Sequence, residues 1–92
     1  MNKHFERLAA LCRSAGVTNY SIMIPGEGLI AGTPGAEYVI RWVRGAWHVM
    51  FVDIACGAVC EDAAASDERE ACRTFLRLYG AELGLPDAPL NP

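Results

Sequence analysis

Between Glu37 and Asp53 the chain reads Glu37-Tyr38-Val39-Ile40-Arg41-Trp42-Val43-Arg44-Gly45-Ala46-Trp47-His48-Val49-Met50-Phe51-Val52-Asp53. Two runs of β-branched and aromatic residues meet at a glycine, the pattern of a β-hairpin. No other segment restricts the fold as much, because the strand period of two assigns each side chain to one of two faces. Gly45-Ala46 suits a type II′ turn, with Arg44-Gly45 as the competing placement. Either choice puts Tyr38, Ile40, Trp42, Trp47, Val49 and Phe51 on one face and Val39, Arg41, Val43, His48, Met50 and Val52 on the other. The aromatic face is the expected core.

The flanking segments supply helices and shorter strands. Asn2 can cap a helix running to about Ala15, with Phe5, Leu8, Ala9, Leu11, Cys12 and Ala15 on one arc and Gly16 ending it. From Val17 to Ile24 the period changes to two, and Pro25-Gly26-Glu27-Gly28 stops that strand. Leu29-Ile30-Ala31 reads as a short strand before Gly32-Thr33-Pro34-Gly35, while Ala55 to Cys60 could extend a strand or add one. Ser66-Asp67-Glu68-Arg69-Glu70 opens a second helix, Asp67 and Glu70 having the spacing of an acidic capping box. Its apolar arc is Ala71, Cys72, Phe75, Leu76, Leu78 and Tyr79, and its end falls at Gly80 or Gly84. The order α-β-β-β-β-α predicts an α+β fold: an antiparallel sheet of about four strands flanked by N- and C-terminal helices. Residues 1–92 form one expected domain, with 85–92 as a frayed tail.

Composition narrows the function classes. With 52% hydrophobic and 21% charged residues the chain lies outside the disordered range and can bury a core without a metal or disulfide staple. A net charge of −3 argues against direct binding to nucleic acid. The charged start, Met1-Asn2-Lys3-His4-Phe5-Glu6-Arg7, runs into no signal-peptide apolar stretch, and Arg41, Arg44 and Asp53 interrupt the most apolar region. The expected place is the cytoplasm, with no membrane association, and there Cys12 and Cys72 on helix apolar arcs are expected as core thiols.

Chemical motifs are sparse. Gly26-Glu27-Gly28-Leu29-Ile30-Ala31 fits G-x-G-x-x-A after a strand, but Thr33-Pro34-Gly35 arrives before a helix could aim its N-terminus at a pyrophosphate, so a hairpin turn is preferred. The cysteines show no C-x-x-C spacing, and Cys56 and Cys60 would stand ~13 Å apart in an extended segment. No metal, cofactor or catalytic residue is expected, although a small enzyme using Cys60 or His48 is a third possibility behind two binding readings. Arg69, Arg73 and Arg77 stripe the second helix, where a solvated face explains them better than a nucleic-acid site.

The second hairpin face is the anomaly. If both helices cover the aromatic face, then Val39, Val43, Met50 and Val52 lie toward solvent around Arg41 and His48, an apolar patch of the kind partners cover. Glu61, Asp62, Asp67, Glu68 and Glu70 form an acidic cluster whose first explanation is a solvated loop and helix start, and whose functional one is a contact for a basic partner.

The N-terminal helix, the strand pair Tyr38-Val39-Ile40-Arg41-Trp42 to Trp47-His48-Val49-Met50-Phe51, and the closing helix beginning Ser66-Asp67-Glu68-Arg69-Glu70-Ala71-Cys72 resemble the small immunity proteins of bacterial toxin systems, including contact-dependent growth inhibition. These share no diagnostic motif, so no residue role carries over. The resemblance implies a cytosolic, non-catalytic inhibitor that binds a cognate toxin domain, commonly a nuclease, and blocks its active site or substrate path. On that reading the partner-binding residues are Arg41, His48 and Met50 on the open face, with Glu61 and Asp62 supplying charge. The alternative is a homodimeric adaptor or secretion-chaperone-like module burying Val39, Val43 and Val52.

Overall fold

The computed structural model describes residues 3–86. Helix α1 (Lys3–Ser14) is followed by β1 (Tyr20–Ile24), β2 (Gly28–Gly32), β3 (Tyr38–Val43), β4 (Ala46–Asp53), β5 (Ala58–Ala65) and α2 (Glu68–Leu83). The α+β layout with a helix at each end of the chain holds. Among the described residues the sheet has five strands in the order β2-β1-β3-β4-β5. It is mixed: β1 and β3 pair parallel, and every other neighbouring pair is antiparallel.

The parallel pairing departs from the antiparallel sheet the sequence predicts, because it needs a crossover and the chain supplies only residues 25–37, β2 among them, for it. Two local contacts make so short a crossover work. Asn19 and Glu37, just ahead of the two parallel strands, are clasped: the Asn19 amide donates to Glu37 Oε1 at 2.8 Å and the Glu37 N–H donates to Asn19 Oδ1 at 2.9 Å. At Gly32 the chain passes so near β1 that a Cβ there would stand 1.9 Å from the Tyr20 carbonyl oxygen, and its φ is +90°. Only glycine fits this position.

Both helices pack on the aromatic face. Phe5, Leu8 and Cys12 of α1 and Ala71, Cys72, Phe75 and Tyr79 of α2 meet Tyr20, Ile22, Ile40, Trp47, Val49 and Ala65 in one buried cluster. Each fully buried large apolar side chain there contributes about 1.5–3 kcal/mol relative to exposure. Phe5 and Trp47 pack edge to face with centroids 4.9 Å apart. The aromatic face extends past this cover, however. Trp42, expected in the core, is 40% exposed at the end of β3, and Tyr38 and Phe51 are half-buried. Two helices of 12 and 16 residues do not reach the sheet's corners.

Several boundaries differ from the periodicity reading. The hairpin turn is Arg44-Gly45, not Gly45-Ala46: Val43 pairs with Ala46, and both turn residues have positive φ, 52° and 85°. This is the sign pattern of type I′, whose twist matches the strands it joins. Thr74 is buried although it lies off the apolar arc, whereas Leu78 is exposed and so is Ala15. Helix α2 runs through Gly80 and ends at Gly84, which adopts the left-handed conformation. Asp67 caps it, accepting from the Glu70 N–H at 2.8 Å, but Glu70 reaches back to the N–H and hydroxyl of Ser66 and not to the cap residue's own N–H. Leu85, placed in the tail, is instead buried in the core, and its N–H donates to the Gly80 carbonyl at 2.8 Å. Asn2 and residues 87–92, the remainder of that tail, lie outside the described residues.

Candidate partner-binding face

With both helices on one side, no helix lies over the other side of the sheet among the described residues. Strand register aligns two rows of side chains there. One runs Gly32, Ser21, Val39, Met50, Asp62 and the other Leu29, Met23, Arg41, His48, Ala64, each crossing β2, β1, β3, β4 and β5 in turn.

The two rows differ in accessibility. Met50 is only 3% exposed and Ser21 is also buried, although no helix stands above them. Val39, Val43 and Val52 are half-buried. In a twisted sheet the side chains on neighbouring strands lean over the central positions, and an unbranched methionine fits the remaining space. Met50 therefore does not present a contact surface, contrary to its expected place among exposed partner-binding residues. The second row does. Met23 and Leu29, directly paired, are 38% and 36% exposed, and Arg41 next to Met23 is exposed.

His48 completes the row and is tied down. Its Nδ1 lies 2.7 Å from Asp62 Oδ1. An ionised carboxylate only accepts, so the imidazole Nδ1–H donates, and a neutral ring then offers Nε2 as an acceptor. The pair fixes the ring of His48, whose register partner on β3 is Arg41. Arg41 and His48 thus share one face, as the hairpin alternation requires, and the β4–β5 register adds Asp62 to it.

Glu61 does not join them. Register places it opposite Phe51, on the helix-covered side, because consecutive strand residues alternate. There it belongs to a group of acids and tyrosines that periodicity did not reveal. The Tyr38 hydroxyl donates to Glu82 Oε2 at 2.8 Å, and the Tyr38 and Tyr79 rings pack edge to face at 4.9 Å. Burial, then the bond to Glu82, pushes the Tyr38 hydroxyl up to about 12. The Tyr79 hydroxyl is buried without a hydrogen bond of good geometry, and burial, with Glu61 and Glu82 close by, also raises its pKa. The only sequence signal for this group was the spacing of Tyr79 and Glu82, one helical turn apart on α2.

The remaining chemistry is modest. Among the described residues no three His, Cys, Asp or Glu side chains are grouped to hold a metal ion. Cys12 and Cys72 are fully buried, and burial pushes their thiols up to about 11 and about 12. Such thiols stay protonated and unreactive at neutral pH. Cys56, in the turn after β4, and Cys60, at a bulge of β5, are exposed. The groove along α2 is lined by Arg69, Arg73 and Arg77 together with Asp67 and Glu70, so its charge is mixed. No helix among the described residues is long and apolar enough to cross a membrane. The chain matches no protein family, no curated protein and no solved structure.

Proposed function

We propose that this chain is a cytoplasmic immunity protein that binds a cognate toxin domain, a nuclease, and blocks its active site or the path of its substrate. The observation that carries the reading is the helix-free sheet face, whose accessible row of Leu29, Met23, Arg41 and His48 combines apolar contact with fixed polar groups. Interfaces are built this way, with Met, Arg and aromatic residues at the centre and hydrogen-bonding groups around them. The net charge of −3 supports it, since a phosphate-binding toxin surface is basic and would steer an acidic partner toward itself. Half-burial of Val39, Val43 and Val52 within the single chain leaves less of the surface that the homodimeric adaptor needed for self-association.

The test begins with the DNA immediately upstream of the gene. A large secreted protein with a variable C-terminal domain should be encoded there. That domain, expressed and mixed with this protein, should lose its nuclease activity at equimolar ratio and elute with it as a complex. Housekeeping neighbours, or a domain that remains active in the mixture, would remove the immunity reading.

A further inference from the structure

The two edges of the sheet are not alike. Strand β2 is short, five residues bounded by Gly28 and Gly32; both edge strands carry a bulge in their pairing, β2 with β1 and β5 with β4 at Cys60. Strand β5 at the other edge spans eight residues, Ala58–Ala65, without proline or glycine, and seven of the eight are exposed or half-exposed. Among the described residues only β4 pairs with it. Its outer N–H and C=O groups are therefore a template for another strand.

The side chains on this edge say which strand. Glu61 and Asp62 stand at its centre, one on each face of the sheet, and both are exposed. Positions 45–68 contain no lysine or arginine, while Asp53, Asp67 and Glu68 add further negative charge near the ends of β5. A second copy of the chain is disfavoured as the occupant. Antiparallel pairing of two β5 strands keeps the two sheets' faces aligned, so centring the overlap sets Glu61 opposite Glu61 or Asp62 opposite Asp62, and like charges directly opposite destabilise a pairing. A strand with two consecutive basic residues would instead find a carboxylate on each face. Ala63, Ala64 and Ala65 beside the acids are small and leave room for bulky β-formers on the added strand.

We infer that the free edge of β5 binds an extended segment of a partner protein by strand addition, the segment carrying a central basic pair flanked by β-branched or aromatic residues. Main-chain hydrogen bonds to β5 supply the attachment, and Glu61 and Asp62 select the charge and register. The inference is independent of the partner's being a toxin and concerns the edge of the sheet, where Asp62 also holds His48 on the open face.

The experiment is an NMR titration of the uniformly 15N-labelled full chain with the peptide acetyl-Thr-Val-Thr-Lys-Arg-Val-Thr-Val-amide. Amide shifts should concentrate in residues 58–65, and the outward N–H groups of β5 should gain protection from hydrogen exchange. Replacing the central Lys-Arg of the peptide with Glu-Asp should weaken binding at least about tenfold, from reversal of cross-strand charge pairs. N-methylation of alternate peptide residues should abolish binding while leaving the protein untouched. Glu61→Lys with Asp62→Lys should invert the preference between the two peptides, with circular dichroism confirming the fold of the variant. Absence of β5 shifts at millimolar peptide would overturn the inference. So would shifts centred on Met23, Leu29 and Arg41, binding that survives N-methylation, or β5 shifts that follow protein concentration without peptide.

Discussion

Single residues in this protein are constrained by contacts with the neighbouring strand or helix. Gly32 is the clearest case, because the Tyr20 carbonyl occupies the space where any side chain would begin. Gly32→Ala must both adopt a left-handed backbone and displace β1, and we expect a loss of at least about 3 kcal/mol in urea unfolding. The thiols divide into two classes for a similar reason of position. A maleimide should label Cys56 and Cys60 in the native protein and reach Cys12 and Cys72 only after denaturation, as read by mass spectrometry. The buried pair also sets a pH dependence. An unfolded thiol loses its proton from 9.0 upward, whereas the folded chain holds those of Cys72 and Cys12 to about 12 and about 11 by burial. Folding that favours the protonated form contributes its full stability below pH 9 and loses it as pH rises toward 12. Tyr38, raised in the same direction by burial and by its bond to Glu82, adds to the fall at the upper end of that window. Under reducing conditions the urea midpoint should therefore drop above pH 9, and less steeply in Cys72→Ala than in the parent chain.

At the scale of elements, the hairpin shows how a correct face assignment coexists with a misplaced turn. Moving the two-residue loop by one position shifts the turn but, for this sequence, leaves each strand's alternation intact. The observed turn asks Arg44 to take φ of 52°, a conformation that costs most non-glycine residues about 1–2 kcal/mol. Arg44→Asn places an Asn-Gly pair in a type I′ turn and should raise stability by about 0.5–1 kcal/mol, measured as a higher denaturation midpoint with unchanged m-value. Helix α2 offers a parallel case. Gly80 lies inside it with helical backbone, and a Cβ there would meet Leu76 and the Leu85 carbonyl oxygen at 3.9 Å, ordinary contact distance. Gly80→Ala should add about 0.5–1 kcal/mol by the same measurement, through lower backbone entropy in the unfolded chain.

For the molecule as a whole, the central question is which side of the sheet is interior. Both helices choose the aromatic face, but the opposite face still buries its own centre at Met50. Met50→Ala should accordingly cost about 2–5 kcal/mol of stability. Arg41→Ala should change stability by less than about 0.5 kcal/mol and weaken the proposed toxin complex. Paired thermal melts and binding isotherms of these two variants separate a packing residue from a contact residue. If the two behave alike in binding once folded, the face does not form the interface.

Local pattern in the sequence was sufficient for the helices, the Asp67 cap, the two faces of the hairpin and the buried cysteines, because each follows from a period, or from groups a few residues apart. The placement of Arg41, His48 and Asp62 on one face was legible for the first two and required the β4–β5 register for the third. What the sequence could not state was anything set by pairing between distant segments. The parallel join of β1 to β3 depends on Gly32 lying against Tyr20. The removal of Met50 from solvent depends on strands on either side of it, and the placing of Glu61 on the helix-covered side, with Asp62 on the other, depends on 58–65 pairing with β4 as a strand. Those are properties of where strands meet, and only the tertiary structure decides them, since a period of two fixes alternation but not the neighbour across the sheet.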